Sequence, residues 1–207
     1  MLFPALLPLY AEEHSRPSQE REAEGTEFNS AKRLYDSVPE TVEFIKDIEF
    51  GKGGGKPLHL TIARPKKKPS GLMPAVVYVH GGGWRANDKD GSHFTDKILM
   101  LAENGFFAVS INYRLSGEAG FPSAIEDTKC AVRFVRAHAK EYQIDPTHIG
   151  AWGESAGGHL VALIGTSDAK AGLEGGGGWA DQSSRVQAVV DYYGPADFLT
   201  GKNPGST

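Results

Sequence analysis

Gly153-Glu154-Ser155-Ala156-Gly157, with His148-Ile149-Gly150-Ala151-Trp152 ahead of it and an apolar stretch from Ala156 to Thr166 behind it, is the segment on which the fold turns. The leading residues read as a short strand and the trailing ones as a helix apolar on most sides. A G-x-S-x-G pentapeptide between a strand and a helix is a sharp bend that projects the serine hydroxyl above the sheet. Glycines two residues to either side keep neighbouring side chains out of the bend. Gly158 extends the run of small residues, so the helix can start close to the strand. Bare, the pentapeptide would be an ordinary Gly/Ser turn; in this setting Ser155 is the candidate nucleophile, with Gly153, Glu154 and Gly157 as its supports.

Upstream, Ala75-Val76-Val77-Tyr78-Val79 and Phe106-Phe107-Ala108-Val109-Ser110-Ile111 are nearly continuous apolar runs, as expected of strands buried on both faces of a parallel sheet. Between them Phe94, Ile98, Leu101 and Ala102 recur at helical spacing within Ser92 to Asn104, and Asn104-Gly105 supplies a stop. That is one strand-helix-strand unit. Directly after its first strand comes His80-Gly81-Gly82-Gly83-Trp84. A glycine loop at this place lets main-chain N–H groups approach a carbonyl oxygen that gains negative charge during acyl transfer. The expected donors are the amides of Gly82, Gly83 and Ala156, the last at a helix N-terminus where the dipole favours an anion. His80 is expected to hold backbone with its ring, with Gly81 and Trp84 completing the loop.

The remaining elements agree with this. Val42 to Ile45 and Ile48 to Phe50, a turn at Gly53-Gly54-Gly55, and the alternating Leu58 to Ala63 predict an antiparallel hairpin. The lysines between Pro65 and Pro69 read as a solvated loop. Pro122-Ser123 followed by Glu126 predicts a capping box, opening a helix of about five turns with Ile125, Thr128, Val132, Val135, Ala139 and Tyr142 on one face and ending before an Asp145-Pro146 turn. Arg185 to Tyr193 reads as another buried strand, and Gly175 to Gly178 as a flexible loop before it. The fold class is therefore α/β: a mostly parallel sheet with an N-terminal antiparallel hairpin and helices on both faces.

Composition narrows function by exclusion. A net charge of -4 over 207 residues offers nothing to attract nucleic acid or anionic lipid. No apolar run approaches the ~18 residues of a membrane span, which predicts a soluble chain. Met1 to Ala11 is apolar but has no basic n-region and contains Pro4 and Pro8; it reads as an arbitrary or disordered start rather than a signal-peptide remnant, leaving the compartment open between cytoplasmic and secreted. Residues 1–40 are expected to be poorly ordered and 41–207 to form the domain. The one cysteine, Cys130, reads as a buried inert thiol. No His/Cys/Asp cluster at ligand spacing and no phosphate loop is present, so no metal or nucleotide cofactor is expected.

HGGGW at 80–84, Asn112-Tyr113-Arg114, Asp145-Pro146 and Gly-Glu-Ser-Ala-Gly-Gly at 153–158 together resemble the α/β-hydrolase superfamily, and within it the hormone-sensitive-lipase-like and bacterial feruloyl- or acetyl-esterase-like enzymes. The resemblance spans roughly residues 40 to 200 and implies hydrolysis of small-molecule esters through an acyl-enzyme. It also implies that Arg114 and Asp127 support the elbow structurally. Asn87 stands where such sequences often carry glycine. A serine needs a base, itself oriented by an acid, and in this fold they follow it in the order serine, acid, histidine. After Ser155 the only histidine is His159, one helical turn along and expected to point away from the hydroxyl. Asp191 and Asp197 read as structural acids. The triad acid and histidine are thus not expected in this chain, which reads as a fragment truncated after about the sixth strand. Three functions stay open: ester hydrolase, amide or peptide hydrolase of the same fold, and a catalytically silent fragment.

Overall fold

The structure is a computed structural model and describes residues 37–67 and 69–199; expectations for the residues before 37, including Met1 to Ala11, lie outside the described residues. Six strands form one sheet: β1 (Val42–Gly53), β2 (Lys56–Pro65), β3 (Met73–Val79), β4 (Phe107–Ile111), β5 (Ile144–Glu154) and β6 (Ala188–Tyr192). Their order across the sheet is β1-β2-β4-β3-β5-β6. The hairpin β1-β2 and the β2-β4 pair are antiparallel, whereas β3 runs parallel to β4 and β5, and β5 parallel to β6. Among the described residues four α-helices accompany them: α1 (Ser92–Glu103), α2 (Ser123–Ala137), α3 (Ala139–Tyr142) and α4 (Ala156–Thr166). None of the described helices is long and apolar enough to cross a membrane.

The apolar strands are continuous because both faces are covered, and the pleat divides them between two cores. Val77 and Val79, Val109 and Ile111, Leu60 and Ile62, and Ala151 face a core closed by Val132, Val135, Leu160 and Ile164 of α2 and α4. Tyr78, Ala108, Ala63 and Trp152 face a second core closed by Ile98, Leu99 and Ala102 of α1. Cys130 is buried in the first, and burial pushes its thiol pKa up.

Five local expectations are corrected. Pro122, not Ser123, caps α2; no side chain caps it, and the Glu126 carboxylate is turned to Arg114 instead (3.2 Å). The five-turn helix is interrupted at His138, whose ring packs on Phe134 and Trp179 and whose Nδ1 donates to the Phe134 carbonyl that its own N–H also uses. Asp145-Pro146 lies inside β5, in an irregularity between the pairs Met73/Ile144 and Ala75/Ile149, with Asp145 accepting from the Thr147 N–H. Gly175 to Gly178 is pinned rather than free: the Gly177 carbonyl accepts from Lys52 N–H at 2.9 Å beside Gly51 and Cys130. Finally β6 is exposed over most of its length. It pairs only with β5 among the described residues, and an apolar run reports composition, not whether a neighbour exists to cover it.

Two buried cations of α2 share one carboxylate. Lys129, with a side chain 0% exposed, reaches Glu174 Oε1 at 2.8 Å, and Arg133 reaches Glu174 Oε2 at 2.9 Å. One carboxylate in the loop after α4 thus neutralises two charges from α2. Burial alone would raise the Glu174 pKa, but hydrogen bonds from Lys129 and Ser184 and the field of both cations hold it below the usual value. Glu174→Ala leaves two cations without their partner and is expected to cost about 2 kcal/mol in urea unfolding, less than the 3–5 kcal/mol of a fully buried pair because Glu174 is partly exposed. The wild-type contribution is complete above the unfolded carboxyl pKa of about 4.3 and fades as pH falls below it toward the lowered folded value, so the difference between the two proteins should be smaller in acid than at pH 7. An equal difference at both pH values would contradict this.

Candidate active site

The carboxyl ends of β3 and β5 lie side by side, with Val79 opposite Gly153. Whatever follows each strand therefore meets the other, and ligand sites of open parallel sheets form at such strand ends. After β5 the chain bends at Ser155, with φ 52° and ψ -117°, a left-handed conformation that costs a residue with a Cβ on the order of 1–3 kcal/mol. The bend is held from both sides: the Ser155 N–H donates to the Tyr192 carbonyl at 2.8 Å, and its carbonyl accepts from His159 N–H at 3.0 Å. The side chain is half-buried, and its hydroxyl has no hydrogen-bond partner among the described residues.

Two glycines make the bend sterically possible. A Cβ on Gly153 would collide with the Gly157 carbonyl, and one on Gly157 with the Val79 carbonyl, besides lying 2.7 Å from that of His80. Helix α4 therefore starts in backbone contact with the end of β3. Its first N–H groups have no intrahelical acceptor, leaving the Ala156 amide at the positive end of the helix dipole.

After β3 the chain enters the glycine loop. A Cβ on Gly81 would lie 2.9 Å from the Glu154 carbonyl and 3.3 Å from the Ser155 Cβ, so the loop passes directly alongside the serine. Gly82 and Gly83 have φ of 127° and 59°, and Trp84 also has a positive φ, 58°. The Gly82 carbonyl accepts from the N–H groups of Arg85 and Ala86. The N–H groups of Gly82 and Gly83 donate to no backbone carbonyl among the described residues.

Buried His80 is stacked on Tyr113 at 4.5 Å, and its Nδ1 lies 2.7 Å from the Gly81 carbonyl. Burial lowers its pKa, so the neutral ring donates from Nδ1. The loop after β4 braces this region: Tyr113 Oη donates to the His80 carbonyl at 3.1 Å, Ser116 N–H to the Trp84 carbonyl at 2.7 Å, and Lys89 N–H to Asn112 Oδ1 at 2.7 Å. Buried Lys89 is anchored in turn to Asp47 on β1 and to Asp90. Arg114 makes a two-armed pair with Asp127 at 2.7–3.1 Å and bonds Glu126 and the Ser123 carbonyl. These contacts fasten the loop after β4 to α2; no hydrogen bond of the pair reaches the elbow among the described residues.

Glu154 is buried beneath the elbow, with His93 Nε2 at 3.2 Å, Tyr193 Oη at 3.3 Å and Lys97 Nζ at 3.5 Å. The ring of His159 packs edge-on against Trp84 and Phe198, and burial lowers its pKa. Asp191 is exposed and accepts from the Gly194 N–H. Tyr113 stands in the Asn112-Tyr113-Arg114 motif, but the braces Ser116, His93 and Tyr193 had no local signal, because their partners lie tens of residues away.

A family model described as BD-FAE matches residues 60–206. The chain belongs to the BD-FAE family. LipM of Mycobacterium tuberculosis, named a carboxylic ester hydrolase, is 39% identical over 153 residues, 73% of this chain and 35% of LipM. Esterase LipQ of the same organism is 36% identical over 157 residues, 76% of this chain and 37% of LipQ. Among solved structures, a truncated carbohydrate esterase from gut microbiota superposes with a TM-score of 0.65 at 32% identity, covering 80% of this chain and 61% of that one. Thermogutta terrifontis esterase 2 phosphonylated by cyclosarin gives 0.60 at 30% identity, covering 74% and 56%. The fold is that of the α/β-hydrolase esterases, and the chain spans little more than a third of the length of LipM and LipQ.

The steric reading of the elbow predicts a contrast. Gly157→Ala should lower stability by about 3 kcal/mol, the upper end of the usual cost of overpacking, since backbone cannot move aside, or prevent folding. Gly172→Ala, at φ 69° with open space around it, should cost only about 1–2 kcal/mol. Thermal unfolding decides it, and equal melting points for the two variants would contradict the packing argument.

Proposed function

We propose that the BD-FAE-family protein containing this chain is a serine hydrolase of carboxylic esters that works through an acyl-enzyme on Ser155. The observation that carries this is the Gly81 contact: the glycine loop runs beside the serine Cβ, with the amides of Gly82 and Gly83 unused by backbone carbonyls among the described residues. The Ser155 hydroxyl gives its proton to a base and its oxygen adds to the ester carbonyl. Negative charge then grows on the carbonyl oxygen, where the N–H groups of Gly82, Gly83 and Ala156 receive it. The bond to the alcohol then breaks, the alcohol leaves with that proton, and water hydrolyses the acyl-serine to the acid and free serine. The names of LipM and LipQ favour esters over amides as substrates.

His159 is not assigned as the base. Its ring is held between Trp84 and Phe198, and its buried Nδ1 has no hydrogen-bond partner among the described residues, Ser155 included. The base and its orienting acid are assigned to sequence of the whole protein outside residues 1–207, in keeping with the share of LipM and LipQ that the chain spans. The same observation favours a second reading for residues 1–207 alone, a folded but silent hydrolase domain.

A fluorophosphonate probe should label the whole protein at Ser155 and not label Ser155→Ala, which should lose at least ~10³-fold in hydrolysis of a short p-nitrophenyl ester. Residues 1–207 alone should fall near the Ser155→Ala rate. Ester hydrolysis undiminished in Ser155→Ala would end the proposal, and full activity of residues 1–207 would end the assignment of the base elsewhere.

A further inference from the structure

We infer that Asn87 is a positioning residue for the oxyanion site, acting through the peptide unit that joins Gly81 to Gly82. The inference rests on the assignment of the Gly82 amide as an oxyanion donor. A trans peptide unit is planar, with its carbonyl and its N–H directed to opposite edges, and the Gly81–Gly82 bond is trans. Any group that holds the Gly81 carbonyl therefore also sets the direction of the Gly82 N–H.

Two donors hold it. His80 Nδ1 lies 2.7 Å from the Gly81 oxygen and Asn87 Nδ2 lies 3.1 Å from it. The amide must present its nitrogen, because the oxygen end would face another oxygen at that distance. Contact extends to the next residue: a Cβ on Gly82 would lie 2.9 Å from Asn87 Nδ2, so the side chain lies against the very glycine whose N–H it orients.

Such outside help is needed here. Gly82 has φ 127° and no Cβ, so the peptide unit ahead of it has unusually free rotation. Preorganised donors stabilise a transition state because they do not reorient as charge appears. Asn87 itself has φ 80°, in the left-handed region that asparagine tolerates better than most residues, and this bend aims its side chain back across the turn toward Gly81. His80 approaches the same oxygen as a buried, stacked ring. The two together leave the peptide one orientation.

The test uses the whole protein, with Ser155→Ala as reference. Asn87→Asp and Asn87→Gly both tolerate a left-handed backbone and both remove the amide donor. Each should lower kcat for p-nitrophenyl acetate about tenfold, less than the roughly 10²–10³-fold for deleting an oxyanion donor. KM should stay within about twofold, and a trifluoromethyl ketone that mimics the oxyanion should bind about tenfold more weakly. Active sites titrated with fluorophosphonate should remain at wild-type number. Should both variants keep kcat and ketone affinity within twofold while Ser155→Ala is inactive, the role of Asn87 is refuted and the site assignment stands. A lower rate that follows only a reduced number of titratable sites, with kcat per site unchanged, marks a folding defect and refutes it as well. Hydrolysis that survives Ser155→Ala removes the site assignment and this inference together.

Discussion

The contact on which the structure depends is between backbones: Gly157, in the first turn of α4, lies against the carbonyls of Val79 and His80 at the end of β3. That approach tolerates no Cβ. It brings the start of α4, and hence the bend at Ser155, alongside the loop that leaves β3. Were α4 lifted by even one methyl group, the serine and the Gly81 backbone would separate, and the amides of the loop would no longer stand beside a hydroxyl. Strain at Ser155, with φ 52°, persists because the Tyr192 carbonyl and the helix hold the bend from two directions.

Around this contact the molecule is organised as a set of braces on one sheet end. Three parallel strands deliver the parts: β3 the glycine loop, β5 the serine, and β4 the Asn112-Tyr113-Arg114 segment that fastens the loop in place. Polar side chains that would be costly to bury serve here because each finds a partner. Tyr113 and His80 stack and bond consecutive carbonyls, Lys89 joins the loop to Asp47 on β1, and Arg114 with Asp127 fixes the chain between β4 and α2. Glu154, under the serine, gathers His93, Lys97 and Tyr193 from two other elements. The consequence is a strand-end region whose geometry is carried by backbone, with the side chains around it restricting its movement.

Much of this was legible in the residues because its causes are local. GESAG between a strand and a helix, and HGGGW after a doubly covered strand, demand glycine for steric reasons that operate within a few positions. Doubly apolar runs demand helices on both faces. The errors were equally physical. Ser123 has the composition of a cap, but a tertiary partner, Arg114, drew Glu126 away and Pro122 took the cap position. Gly175 to Gly178 has the composition of a loose linker, yet it packs against Gly51 and Cys130, a contact with partners more than forty residues distant. The run Arg185 to Tyr193 reads as a buried strand, yet β6 within it pairs only with β5 among the described residues and is exposed over most of its length.

By itself the sequence determined the chain's class, the order of its elements, the serine bend and the glycine loop, because short-range sterics and hydrophobic periodicity act on neighbours along the chain. Only the tertiary structure decided that Gly81 passes beside Ser155, that Glu174 answers two buried cations, and that Asn87 shares a carbonyl with His80. Hydrogen bonds and ion pairs depend on ångström-scale distances between residues remote in sequence, and those distances exist only once the sheet has set which strand ends are neighbours.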